Sequence, residues 1–172
     1  MHHTAYEELE KFSRTLPIDQ PLQIADVGAY DVSGMTLRPL FEKPPWRYQG
    51  LDIEPGPNVD FVIPLEGEWH NIPPGAFDII VSVSTLEHTR RPWLVMQQIA
   101  RVLKPGGVAC ICAPYAWGLH RHPIDCWRIF PDGMQTIVED AGLKIRDLYM
   151  RDASCPEVPQ QGDTIAVCEK PI

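Results

Sequence analysis

The residues best suited to acid–base chemistry lie in the segment PYAWGLHRHPIDCWR, which runs from Pro114 to Arg128. Histidine side chains titrate near neutral pH, so His120 or His122 is a candidate general base, and Asp125 can orient either ring. A base of this kind is needed when an acceptor alcohol or phenol must lose its proton. The segment therefore predicts catalytic roles for these three residues.

The same segment also has a structural interpretation and a metal-binding one. In the structural interpretation Asp125 pairs with Arg128, Trp127 packs on the core and the histidines are solvated. In the other, the two histidines, Asp125 and Cys126 are metal ligands, but they crowd into one loop and lack a distant fourth partner. Catalytic and structural roles both stay open, and we expect no metal.

Two acidic turns close the first apolar runs of the chain. Asp26-Val27-Gly28 ends the run LQIADVG, and Asp52 ends the run YQGLDI. In open α/β sheets a ligand binds beyond the carboxyl ends of the strands, where a glycine lets backbone amides approach it closely. A carboxylate at the position of Asp52 can accept both hydroxyls of a ribose. Taken alone, the pair also fits tight turns in any α/β protein.

Glu87 and His88 follow the fourth apolar run, FDIIVSV. One interpretation places both at the mouth of an acceptor site, and the other makes Glu87 a support for the neighbouring turn. We expect the supporting role for Glu87 and leave His88 open between the two.

Apolar patterning predicts the elements that position these residues. A capping box of Thr4 and Glu7 opens a helix over residues 4–15. Five apolar runs suit parallel strands that are buried on both faces: LQIADVG, YQGLDI, VDFVI, FDIIVSV and GGVACICA. A helix with Val95, Met96, Ile99, Val102 and Leu103 on one face follows Pro92 and ends before Pro105-Gly106-Gly107.

The last third of the chain predicts one more helix and two strands. Pro131 and Gly142 bound a helix that carries Met134, Ile137, Val138 and Ala141. The runs KIRDLYM and TIAVCEK are joined by a segment around residues 155–163 that is too short for a crossover helix, so they should pair antiparallel. The fold class is thus α/β: a Rossmann-like, doubly wound, mostly parallel seven-stranded sheet with an antiparallel last strand and helices on both faces.

Size and charge limit the class of protein. The 172 residues predict a single domain, with an N-terminal helix in residues 1–17 and a core over 22–170. A net charge of −8 argues against nucleic acid or an anionic membrane as the main partner. Five cysteines, an odd number, favour a reducing cytoplasm, and no apolar stretch is long enough to span a membrane.

Four motifs in a fixed order resemble the class I S-adenosylmethionine-dependent methyltransferases, especially the small bacterial "type 11" kind. They are DVGAYDVSG, GLDIEPG, FDIIVSVSTLEH and RVLKPGG. The resemblance spans residues 22–170 and implies a transferase that binds S-adenosylmethionine and releases S-adenosylhomocysteine. It also implies a small-molecule or saccharide acceptor, and neither it nor the residues indicate an oligomeric state.

The resemblance implies roles for individual residues of the donor site. Asp26 would orient the glycine turn or meet the donor's amino group, and Gly28 would pass close to its methionine part. Asp52 would hold the ribose, and Ile53 would lie against adenine. The other donor contacts would be Tyr30, Leu65, Ser82 and Val83, with Ser82 and Val83 facing the methionine portion.

The phrase HPIDCWR, followed by IFP, is similar to a loop that approaches the acceptor in family members. It implies acceptor contacts from Tyr115, Trp127 and Arg128, together with His88.

The sequence departs from the family pattern at the glycine turn and after the third strand. Tyr30 and Val32 stand where glycines are usual, although Gly34 can restore the turn, with Ser33-Gly34 capping a short helix. An acid is expected to meet the adenine amine, and Glu66 or a backbone group must substitute for it. These departures support a runner-up: a methyltransferase-like binding or regulatory module without turnover. A nicotinamide dehydrogenase fits less well, because the chain has no room for a substrate domain.

Overall fold

The computed structural model describes residues 3–152 and 161–172 of the chain. Four helices, seven strands and one 3₁₀ turn lie within them. The helices are α1 (His3–Arg14), α2 (Arg38–Phe41), α3 (Pro92–Val102) and α4 (Pro131–Asp140), and the 3₁₀ turn is Leu86–His88. The strands are β1 (Gln23–Val27), β2 (Arg47–Asp52), β3 (Phe61–Val62), β4 (Phe77–Val83), β5 (Leu103–Ala116), β6 (Lys144–Asp152) and β7 (Gly162–Glu169).

The strands form one sheet in the order β3-β2-β1-β4-β5-β7-β6. The first five are mutually parallel, and β7 lies between β5 and β6 and is antiparallel to both. The predicted fold class and the antiparallel pairing of the tail are therefore confirmed. Most of the connection around residues 155–163 lies outside the described residues.

Two hydrophobic clusters cover the two faces of the sheet. On one face α1 and α2 bury Leu9 and Phe41 against Ile24. On the other face α3 and α4 bury Met96 and Met134. Successive residues of β1 and β4 belong to opposite clusters, which is why their sequences are apolar without alternation.

Three local predictions need correction. Thr4 lies inside α1, and its buried hydroxyl makes no hydrogen bond, so it does not cap the helix. Leu103 is the first residue of β5 and not the last of α3. The residues Ser33-Gly34 do not cap a helix: both amides donate to the Asp31 carboxylate, and α2 begins at Arg38.

No helix within the described residues is both long and apolar enough to cross a membrane.

Candidate active site

A cleft of about 520 Å³ opens at the carboxyl ends of β1, β2 and β4. This is the edge of an open α/β sheet at which ligands bind. The residues that line it are Gly28, Tyr30, Val32, Ser33, Asp52, Ile53, Glu54, Leu65, Ser84, Thr85, His88, Trp117, His120, His122 and Pro123. A small pocket of about 60 Å³ adjoins it and reaches Asp26 and Val83.

The turn after β1 packs directly on the turn after β4. Gly28 has a φ of +86°, and a Cβ added to it would lie 1.9 Å from the Thr85 hydroxyl oxygen. That hydroxyl is 3.0 Å from the Val27 carbonyl and can donate to it. Glycine is thus required here for two reasons, the left-handed backbone and the close approach of Thr85.

Asp52 is buried at the end of β2 and holds the turns on both sides of the cleft. Its Oδ2 accepts a hydrogen bond from the Tyr30 amide at 2.8 Å, and its Oδ1 accepts one from the Ile53 amide at 2.6 Å. Burial raises the pKa of its carboxyl, and the hydrogen bonds from the backbone amides lower it in part. The Glu54 amide also contributes, so three backbone amides face a carboxylate with about four acceptor positions, and it can still accept a hydroxyl donor from the cleft.

Asp26 lies deeper, below the small pocket. It accepts a hydrogen bond of 2.5 Å from the Tyr48 hydroxyl, which in turn accepts one from the Asn58 side-chain amide. Burial raises the pKa of Asp26 to about 7, and the nearby Asp52 adds to the shift. Asp26 is therefore an unusually basic carboxyl for its residue type.

The altered glycine turn carries no backbone strain at its substituted positions. Among the described residues the non-glycine residues with positive φ are Asn58 and Ser84, so Tyr30 and Val32 do not require glycine. The Tyr30 ring lies over Gly56, whose Cβ position is 2.2 Å from the ring, and is 38% exposed. Gly34 does adopt a positive φ, +76°, as the sequence suggests.

The end of β4 differs from the prediction. Ser82 is buried within the sheet, where its hydroxyl donates to the Val27 carbonyl, and it does not line the cleft. The Ser82 hydroxyl is therefore held by the neighbouring strand and does not face the cleft, contrary to the prediction. Ser84 and Thr85 line the cleft instead, and Ser84 holds a φ of +51°.

Ile53 and Leu65 form an apolar side of the cleft. Glu66, the suggested substitute for the missing acid, points elsewhere. Its carboxylate accepts from the Arg90 amide at 2.6 Å and contacts the Arg91 guanidinium at 3.1 Å. Glu66 does not line the cleft.

Three histidines meet at the other side of the cleft. The ring of His88 lies 4.8 Å from that of His120 and 5.9 Å from that of His122, centroid to centroid, with the rings nearly perpendicular. The side chain of His88 is 11% exposed and that of His120 is 24% exposed, while His122 is an exposed residue. Burial lowers the pKa of His88, and the carbonyl of Ile124 opposes the shift.

Asp125 is committed to Arg128 by two hydrogen bonds, of 2.6 and 2.8 Å. The guanidinium holds the pKa of Asp125 well below its usual range. Arg128 also donates to the carbonyls of Trp117 and Gly118. The pair thus fixes the loop, as the structural interpretation expects. Asp125 also contacts His120, at 2.8 Å from its backbone amide and at 3.5 Å from Nδ1 of its ring.

The remaining acceptor candidates lie off the cleft lining. Tyr115 donates to Asp152 at the end of β6, and Trp127 donates to the Thr89 carbonyl at 2.8 Å. Of the four candidates, His88 alone is among the cleft-lining residues.

Glu87 does not support the turn with its side chain. Its backbone carbonyl accepts from Cys126 at 2.7 Å and so ties down the loop. Its carboxylate is fully buried and accepts no hydrogen bond from another residue. Burial raises the pKa of Glu87 to about 8.

Sequence reasoning missed Ser84 and Thr85 as cleft residues. The phrase STLEH directly after β4 was a usable signal, because residues following a parallel strand reach the ligand edge.

A model of the methyltransferase domain family matches residues 26–111. A rice protein (Oryza sativa subsp. japonica), 2-methyl-6-phytyl-1,4-hydroquinone methyltransferase 1, chloroplastic, is 35% identical over 71 residues. That match covers 39% of this chain but only 22% of the rice protein.

Two solved structures share the fold across nearly the whole chain. One is the Burkholderia thailandensis 1,6-didemethyltoxoflavin-N1-methyltransferase with bound 1,6-didemethyltoxoflavin and S-adenosylhomocysteine, at a TM-score of 0.73 and 17% identity, covering 98% of this chain and 79% of that one. The other is a Methanosarcina mazei SAM-dependent methyltransferase, at 0.71 and 14%, covering 94% and 97%. At these identities the likeness establishes the fold alone.

Proposed function

Because this chain belongs to the methyltransferase domain family, we propose that it transfers a methyl group from S-adenosylmethionine to a small-molecule or saccharide acceptor. The product of the donor would be S-adenosylhomocysteine. The observation that carries the proposal is one continuous cleft, in which Asp52 and Gly28 lie on one side and three histidines on the other.

The donor would lie along the carboxyl ends of β1, β2 and β4. Asp52 offers its remaining acceptor position to the ribose hydroxyls, and Ile53 and Leu65 offer an apolar surface for adenine. The small pocket next to Asp26 suits the methionine portion, whose ammonium group would favour the charged form of that carboxyl. The positively charged sulfonium would then face the histidines.

Methyl transfer from a sulfonium is an in-line displacement, so orientation and exclusion of water contribute most. The acceptor oxygen attacks the methyl carbon, the carbon–sulfur bond breaks, and sulfur keeps the electron pair. A hydroxyl acceptor must also lose its proton, and His120 and His122 line the cleft where that proton would leave. Asp125 acts through the His120 amide and through its ion pair with Arg128, as a positioning residue.

The acceptor side is open at its rim, which Trp117, His122 and Pro123 form. A flat or ring-shaped molecule could stack on the indole of Trp117. The rice protein is named for a hydroquinone and the Burkholderia thailandensis enzyme for 1,6-didemethyltoxoflavin, which supports a small ring-containing acceptor here. An open rim also admits one residue of a saccharide.

The test is isothermal titration with S-adenosylmethionine and S-adenosylhomocysteine, with NAD as the control ligand. We expect micromolar binding of the two adenosyl ligands and none of NAD. Asp52→Ala should weaken binding at least several-fold, whereas Glu66→Ala, which removes a carboxylate outside the cleft, should not. Equal affinity for wild type and Asp52→Ala would remove Asp52 from the site.

Failure of both adenosyl ligands to bind would overturn the proposal. Binding without turnover on any acceptor would favour the runner-up, a binding or regulatory module. The unstrained turn at Tyr30 and Val32 leaves the donor pocket open, which supports donor binding, and a turnover assay separates the enzyme from the module.

A further inference from the structure

Within residues 3–152 and 161–172, the buried carboxylate of Glu87 accepts no hydrogen bond at either oxygen. Its side chain is 0% exposed, and removing a carboxylate from water costs several kcal/mol unless it is paired or coordinates a metal. The neighbouring Arg128 does not relieve it, because its guanidinium donates to Asp125 and to backbone carbonyls. Among the described residues, Glu87 therefore has no hydrogen-bond donor of its own.

Two histidine nitrogens face this carboxylate. The Nε2 atom of His88 lies 3.6 Å from Glu87 Oε1, and the Nε2 atom of His120 lies 3.9 Å from the same oxygen. Glu87, His88 and His120 each offer one possible metal-ligating atom, a carboxylate oxygen or a ring nitrogen, and these three atoms lie within 4.8 Å of one another. Two ligands that each lie about 2.1 Å from one metal ion are at most about 4.2 Å apart, so both contacts with Glu87 already fall in that span.

The backbone fixes both rings in the form that binds metals. His88 Nδ1 lies 2.5 Å from the Ile124 carbonyl, and His120 Nδ1 lies 2.9 Å from the Gly118 carbonyl. A carbonyl oxygen can only accept, so each Nδ1 carries the hydrogen and each Nε2 of the neutral ring keeps its lone pair. A metal-bound histidine usually donates a hydrogen bond from its other ring nitrogen in this way, which fixes the orientation of the ring.

From these contacts we propose that Glu87, His88 and His120 bind one divalent transition-metal ion at the acceptor end of the cleft. Two imidazoles and one carboxylate suit Zn²⁺, Mn²⁺, Fe²⁺ or Co²⁺ better than Mg²⁺ or Ca²⁺, which prefer oxygen ligands. The set differs from the ligands that the sequence suggested, because Asp125 is committed to Arg128 and Cys126 is exposed.

Three protein ligands leave at least one coordination position open, as in catalytic metal sites. His88 and His120 line the cleft, so that position faces the space assigned to the acceptor, and in this respect the inference rests on the proposed function. An acceptor hydroxyl bound there would lose its proton more readily. His122, which is not among the three ligands, would take that proton, and the resulting oxygen anion would attack the methyl carbon.

The experiment is a Co²⁺ titration of the metal-free full chain, followed by visible absorption and by calorimetry. His2 and His3 are first replaced by alanine so that the N-terminus does not compete for the ion. We expect one equivalent to bind and to give the visible band of cobalt with nitrogen and oxygen ligands. Glu87→Gln, His88→Asn and His120→Asn should each weaken binding by 10-fold or more.

Two histidine variants are matched controls. His122→Asn removes a cleft histidine outside the ligand set, and His70→Asn removes an exposed histidine paired with Glu68. Both should bind Co²⁺ as the parent does. Glu87→Gln should melt no lower than the parent without metal, because a neutral amide of the same shape replaces a buried carboxyl that makes no hydrogen bond among the described residues, so its loss of binding is separable from misfolding.

Absence of stoichiometric binding, or equal affinity in Glu87→Gln, would overturn the metal site. So would an equal loss in His70→Asn, which would show that binding is spread over the surface. Titration with S-adenosylhomocysteine in the presence of a chelator tests the proposed function separately. Donor binding without Co²⁺ binding would support the methyltransferase proposal and overturn the metal site. Co²⁺ binding without donor binding would support the metal site and overturn the methyltransferase proposal.

Discussion

At the scale of single residues, the environment and not the residue type sets the chemistry of the acids in this protein. Asp125, in its ion pair with Arg128, has a lowered pKa, whereas the buried Asp26 has one raised to about 7. The sequence shows the same carboxyl group at both positions. Only the first is therefore a permanent anion near neutral pH.

Asp26 should make the stability of the protein depend on pH. Its folded pKa of about 7 lies above the ordinary value of 3.8, so between these values the folded chain holds a proton that the unfolded chain has released. The contribution of Asp26 to the free energy of unfolding is fully present below about pH 4 and is lost as the pH rises through about 7. The loss is up to about 1.4 kcal/mol for each pH unit. Tyr48, Asp52 and Arg38 are the groups that face Asp26 and modulate it.

Urea unfolding at pH 5 and pH 8 measures this effect in the ligand-free protein. The control variant is Asp26→Asn, whose amide oxygen still accepts from Tyr48 but does not titrate. We expect the wild type to lose more stability than the variant between the two pH values. Equal losses would mean that Asp26 titrates normally in the folded protein.

At the scale of elements, the cleft depends on one turn resting on another. The turn after β1 and the turn after β4 meet at Gly28 and Thr85, which are distant in sequence. Parallel pairing of β1 with β4 brings the two turns to the same edge of the sheet. The position of Ser84 and Thr85 in the cleft thus follows from the sheet order.

Gly28→Ala should damage this contact more than backbone strain alone would. Gly34→Ala is the matched control, because Gly34 has a similar φ of +76° but nothing within 4 Å of its Cβ position. Alanine at a left-handed position costs roughly 1–2 kcal/mol. We expect Gly34→Ala to lose about that much and Gly28→Ala clearly more, by urea unfolding.

The double variant Gly28→Ala with Thr85→Ala should recover part of the difference, since it removes the hydroxyl 1.9 Å from the new Cβ. If Gly28→Ala and Gly34→Ala were equally stable, the close packing of the two turns would be contradicted.

At the scale of the whole molecule, the sheet carries a hydrophobic cluster on each face and presents the cleft at one edge. The cleft is lined largely by turns and loops, whereas the strands beneath it are buried. Ligand binding should therefore stabilise the folded chain by mass action without reorganising the sheet.

S-adenosylhomocysteine should raise the melting temperature. At a ligand concentration of about 100 times Kd the gain is about 2.7 kcal/mol. For a domain of this size each kcal/mol shifts the midpoint by about 2–4 °C, so the rise should be roughly 5–10 °C. Differential scanning fluorimetry measures it, with Asp52→Ala as the variant expected to shift less. No shift of the wild type at saturating ligand would count against the donor site.

The sequence by itself determined the class of fold, the order of the strands along the chain and the two acidic turns at the cleft edge of the sheet. Continuous apolar runs between turn residues indicate strands that are buried on both faces. This pattern is local, so the positions of Asp26, Gly28 and Asp52 at the ends of such runs can be read from adjacent residues.

Only the tertiary structure decided which polar groups meet. The segments after β4 and β5 bring His88 and His120 together around Glu87, and Asp125 forms an ion pair with Arg128. Ser82 faces into the sheet while Ser84 reaches the cleft. These outcomes depend on register and on contacts between residues far apart in the chain, for which periodicity carries no signal.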